Sequence, residues 1–168
     1  MMIVLVALAL GAQAPAPDTA RQARYERALN GVADSLDVVR GALTAFPIDL
    51  ERTSTDLVLA RATRVRLSCR GATLAVDQVS TVLAEGVYAP HAKAEQLRLQ
   101  NGSAELKRTL AQCDHDWAVP RNPTDAEADT LRAWGPYRSS RLDDALRGYL
   151  GLVREFMKQA ALKKPAVS

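Results

Sequence analysis

Residues 58–83 read VLARATRVRLSCRGATLAVDQVSTVL. Val58, Ala62, Val65, Cys69, Ala72, Val76, Val79 and Leu83 recur at alternating spacings of three and four. That period puts all eight on one face of an α-helix, whereas a strand would alternate every second residue. Three further stretches repeat it: Leu29, Val32, Leu36, Val39, Leu43 and Phe46; Leu99, Ser103, Leu106, Leu110, Cys113 and Trp117; and Leu142, Leu146, Tyr149, Val153, Phe156 and Ala160. Four amphipathic helices with narrow, long seams bury them by packing antiparallel at shallow angles. The expected fold is therefore all-α, an up-and-down four-helix bundle with one additional short helix.

The breaks between seams follow from turn chemistry. Asp18 can cap the first helix, and Phe46-Pro47 ends it, because the residue before proline resists the helical region. Thr53 to Asp56 offers caps for the second, and Gly86 and Pro90 bracket the next turn. Asn101-Gly102 is expected to break or kink the third helix, which then starts near Pro90 or near Ser103. Pro120 and Pro123 close it. Thr124 and Glu127 have the spacing of a capping box, opening the short helix, which runs to about Trp134. Gly135-Pro136 breaks the chain again, and the last helix reaches about Lys163. One bundle domain then spans residues 18–163, with residues 164–168 a loose tail.

Composition agrees with helix. The chain of 168 residues is 48% apolar, with only 5% aromatics. Its net charge of +3 is too small, at this apolar content, for wholesale disorder. Arg outnumbers Lys 17 to 5, yet so small an excess argues against nucleic acid as a partner, as does the lack of interleaved aromatics.

The start points to export. Residues 1–12 read MMIVLVALALGA. That apolar run is too short to span a bilayer as a helix and has the length of a secretory signal's hydrophobic region. The usual basic flank is missing. Small residues follow, and cleavage is expected between positions 11 and 16, giving a signal peptide of about residues 1–14. Ala12-Gln13-Ala14 has the A-x-A form, although Pro15 would follow the cut; Ala9-Leu10-Gly11 offers a second choice. The chain's two cysteines fit an oxidising compartment. A Cys69–Cys113 bridge would contribute roughly 4 kcal/mol by loop-closure entropy. The register is the difficulty: with the turn near Tyr88, Cys69 faces a residue near position 107. A break at Gly102 could absorb the offset.

Few residues combine into chemistry. Cys113-Asp114-His115-Asp116-Trp117 holds metal-ligating types, but consecutive positions point around a helix rather than converge. His91 follows Pro90 at a turn and is expected to be solvated. There is no C-x-x-C-H and no E-x-x-H, so covalent haem and di-iron sites are not expected. Neither G-x-S-x-G, a P-loop nor a dinucleotide fingerprint occurs. Asp143-Asp144 and Asp125-Glu127-Asp129 read as solvated or helix-start acids. We therefore expect no catalytic residues, no bound metal and no cofactor.

Two sets remain as binding candidates. Arg61, Arg64, Arg66 and Arg70 form a basic stretch that could receive an anion, a lipid head group or an acidic partner. Solvation, or pairing with Asp34 and Asp37 on the preceding helix, would also account for it. Trp117, Trp134 and Tyr137 flank the proline-rich connection, where they either anchor a partner or plug the bundle's end. The expectation is an exported, periplasmic or extracellular, non-enzymatic protein. Its role would be accessory or interactive, its partner another envelope protein or a second copy. The alternatives are a bundle that binds a small molecule or anion, and an envelope enzyme with a carboxylate or histidine site. No transmembrane segment is expected in the mature chain.

Overall fold

A computed structural model describes residues 19–162. The signal segment, Asp18 as a cap and the C-terminal tail lie outside those residues. Four helices carry the fold: α1 (Thr19–Ala45), α2 (Thr55–Ala84), α3 (Lys93–Asp116) and α4 (Asp125–Gln159). No strand occurs among the described residues. Each helix packs on its sequence neighbour, and α1 closes the bundle against α4. Every residue of the four seams is buried. At roughly 1.5–3 kcal/mol for each large side chain removed from water, they are the main favourable term. The polar member is satisfied: the Ser103 hydroxyl lies 2.8 Å from the Leu99 carbonyl and 2.9 Å from the Tyr149 hydroxyl.

Two arginines hold the α1–α2 connection. Asp49 takes a left-handed conformation (φ 50°), and a 3-10 turn follows at Leu50–Arg52. Arg61 of α2 donates to the Phe46 and Ile48 carbonyls. Arg132 of α4 donates to the Leu50 and Thr53 carbonyls. Charge-assisted bonds to carbonyls that end a helix replace partners the helix itself cannot supply.

The α2–α3 connection decides the register. Past Gly86 the chain runs to a 3-10 turn at Pro90–Ala92, and Tyr88 is buried, its ring 4.7 Å from that of Tyr25. Gln96, also buried, donates to the Leu83 and Gly86 carbonyls and accepts the Tyr88 amide at 2.8 Å. This clasp moves the centre of the α2–α3 pairing from the expected Tyr88 to about His91. Cys69 and Cys113 then come opposite one another and form a disulfide, with Cα atoms 6.4 Å apart. The offset is absorbed in the connection, and α3 runs through Asn101-Gly102 without a break.

The second expected break is also absent. The capping box at Thr124 and Glu127 forms, but the helix it opens continues through Gly135-Pro136 to Gln159. The short helix is thus the first part of α4. Proline removes one amide from the ladder. Against that cost, Gly135 is buried under the Phe46 ring, which lies where a β-carbon would stand. Gly102 has the same office on α3, where Leu152 and Tyr149 of α4 occupy the space. Both glycines are packing sockets, and tertiary contact outweighs their poor helix propensity.

Candidate functional site

The four arginines of the basic stretch do not converge. Arg61 is spent on the α1–α2 connection. Arg66 and Arg70 both donate to Asp114 of α3, at 2.9 and 2.5 Å. The acid they meet therefore lies on the following helix, not at Asp34 or Asp37. Arg64 stands apart on the outer face of α2. The Arg70 hydrogen bond, with help from Arg66, holds the Asp114 carboxyl below its ordinary pKa. This is a structural clamp beside the disulfide.

The aromatic trio also divides. Trp117 is 1% exposed, edge-on to Phe46 at 4.6 Å and to Trp134 at 5.6 Å between ring centres. These three rings plug one end of the bundle. Tyr137 is 66% exposed and stands outside the plug.

Beside Tyr137 the surface is concave. A groove of about 810 Å3 runs between α3 and α4, with Arg108, Gln112, Asp116, Tyr137, Arg138 and Arg141 on its walls. It adjoins a second hollow of about 340 Å3, bounded by Gly102, Gly148 and Leu152 and sharing Glu105, Thr109 and Ala145 with the first. Small residues keep the helix surfaces low there, and long side chains rise at the other end.

The charges in this groove are unequal in their partners. Arg138 bonds Asp116 at 2.7 Å, and its guanidinium carbon lies 3.9 Å from the centre of the Trp134 ring. Asp116 accepts as well from Gln112 at 2.7 Å. Its capacity is largely used, and Arg138 is fixed by stacking and charge together. Arg141 lies 5.9 Å from the centre of the Tyr137 ring. Neither Arg108 nor Arg141 has a carboxylate within ion-pair distance among the described residues. The groove thus presents two guanidinium groups without ion-pair partners and an exposed phenol, with the Glu105 carboxylate where it joins the second hollow. Such a set can bind a carboxylate or phosphate by paired N–H donors.

His115 is 84% exposed at its side chain, and it does not line the groove. His91, at the opposite end of the bundle, has Nε2 2.9 Å from the Gln159 carbonyl. Among the described residues, no cluster of three His, Cys, Asp or Glu side chains could hold a metal. No described helix is long and apolar enough to cross a membrane.

Reading the sequence alone misses Arg108, Arg138 and Arg141. Their one signal is spacing: Arg108, Gln112 and Asp116 recur every four residues beside the third seam, as do Tyr137, Arg141 and Ala145 beside the fourth. Which flanks face each other depends on the α3–α4 register, and no local pattern encodes that. Compared with family models, curated proteins and solved structures, the chain matches none of them.

Proposed function

We propose that the chain is an exported, non-enzymatic binding protein that receives an acidic segment of another envelope protein in the α3–α4 groove. The observation that carries this reading is the pairing of Arg108 and Arg141, without carboxylate partners, in one concave surface beside exposed Tyr137. Exposed aromatic and arginine side chains are the types that dominate interface energetics. The disulfide supports the export part, since such bridges persist in oxidising compartments. The exposure of His115 weighs against an enzyme built on it.

A glutamate-rich peptide titrated into the oxidised protein tests the reading by calorimetry. Saturable binding that weakens with salt, and at least tenfold on R141E, is the expected result. Binding indifferent to R141E and R108E would sink it. The groove's volume favours a second reading, since about 300–1,000 Å3 is the usual size of a small-molecule site. A rise in melting temperature with phosphate but not with the peptide would select that alternative.

A further inference from the structure

The α3–α4 groove changes character along its length. At one end stand Arg108, Arg141 and Tyr137. At the other, Gly102, Leu106, Gly148 and Leu152 line the adjoining hollow of about 340 Å3, with buried Tyr149 beneath. That end offers apolar contact and bare backbone, the surface on which a bulky side chain gains most. Glu105 stands between, shared by both hollows. Among the described residues no cation lies within ion-pair distance of it.

Both walls give the same separation between the two ends. Gly148 lies seven residues from Arg141 along α4, and Gly102 lies six from Arg108 along α3. At about 1.5 Å of rise per residue, the hollow and the arginines are roughly 10 Å apart. A helix laid in the groove matches that length, because residues seven apart are two turns on, close to one line on one face. An extended strand covers it in about three residues, and those point to opposite faces. Glu105, three residues from Gly102 and from Arg108, repels a second acid midway, so the ligand's negative charge is confined to one end. Gly148 has open space where a β-carbon would stand, so a facing side chain can enter the hollow without displacing this chain.

We infer that the segment received here is a helix with an acidic residue and a bulky apolar residue seven positions apart on one face. The acid meets Arg108 and Arg141, and the apolar side chain fills the hollow at Gly148. The inference rests on the reading of the groove as the acceptor of an acidic segment, and it adds which segment the groove selects. An amphipathic helix laid in a groove is a recurring mode of recognition, read through anchors on one face. The apolar anchor supplies what exposed ion pairs alone do not, since those contribute little in water. Burying one leucine side chain there corresponds to about tenfold in affinity or more.

Three helical peptides of equal charge, titrated into the oxidised protein by calorimetry, provide the test. One carries glutamate and leucine seven positions apart, one carries them five apart, and one has alanine in place of the leucine. The first is expected to bind about tenfold tighter than either of the others. G148Q places a side chain in the hollow, where the free protein has room for it. It should abolish that advantage, leave the alanine peptide's affinity unchanged and keep the wild-type circular dichroism. R141E should weaken all three. Equal affinities of the three peptides for the wild type, or an advantage that survives G148Q, overturn the inference and leave the acidic-segment reading standing. Binding indifferent to R141E and R108E, or no binding of any peptide, overturns both.

Discussion

The two sides of α3 differ in how their charges end. Towards α2, each charged side chain at the contact meets its opposite: Arg66 and Arg70 close on Asp114, Lys107 closes on Asp77, and the disulfide lies between. Towards α4, the interface is polar inside, at Ser103–Tyr149, and opens outside into a groove with arginine to spare. Both sides obey the same packing rules. The difference shows that one helix can be held on one face by complementary pairs and a covalent bond while its other face leaves arginine side chains without ion-pair partners at the rim of a groove.

The closed side should fail most dramatically under a buried charge. Val76 is fully buried in the α2 seam, and V76D is expected to unfold the bundle by circular dichroism, a loss above about 4 kcal/mol. Reducing the disulfide removes a constraint on the unfolded chain worth about 4 kcal/mol, so the melting temperature should fall by roughly 12 °C. An equal melting temperature with and without reductant would show that the clamp does not depend on the bridge.

The gentlest contrast is in pH. Hydrogen bonds from Arg70 and Arg66 lower the folded pKa of Asp114, so its contribution is present above the ordinary carboxylate range and is lost as pH falls through the folded value. Burial raises the folded pKa of Tyr149 to about 12, with the Ser103 bond acting the other way. Its contribution is full below about pH 10 and lost as pH rises towards 12. Acid should therefore loosen the α2–α3 side and alkali the α3–α4 side. In thermal melts across pH, D114N should flatten the acid limb and Y149F the alkaline limb. If each variant changes the opposite limb, the division between the two sides is wrong. S103A is expected to cost about 1 kcal/mol, because it leaves the buried phenol without its side-chain partner.

Much of the fold was readable in the chain, because a core face needs only local periodicity to declare itself. All four seams are buried as the spacing requires, and the Thr124 capping box forms as written. Gly102 and Gly135-Pro136 misled for one shared reason. Propensity treats glycine as a weak point, but here Phe46 and Leu152 fill the space its missing side chain leaves. Of the candidate binding residues, only Tyr137 belongs to the groove and is freely exposed. Arg61, Arg66 and Arg70 serve the scaffold, and Trp117 with Trp134 forms the plug.

By itself, then, the sequence determined that four seams build a helical bundle, which face of each helix turns inward, and that two cysteines sit on inward faces. Those are consequences of residue spacing within a single turn or two. That the expected short helix is the first part of α4 it did not determine. Only the tertiary structure decided which residues stand opposite one another, because Gln96 and Tyr88 set the α2–α3 offset through contacts with α1 and α2. That offset joins Cys69 to Cys113, and the α3–α4 packing brings Arg108 and Arg141 to one groove. Facing residues on different helices are a property of the packed bundle, and short-range patterns carry no record of them.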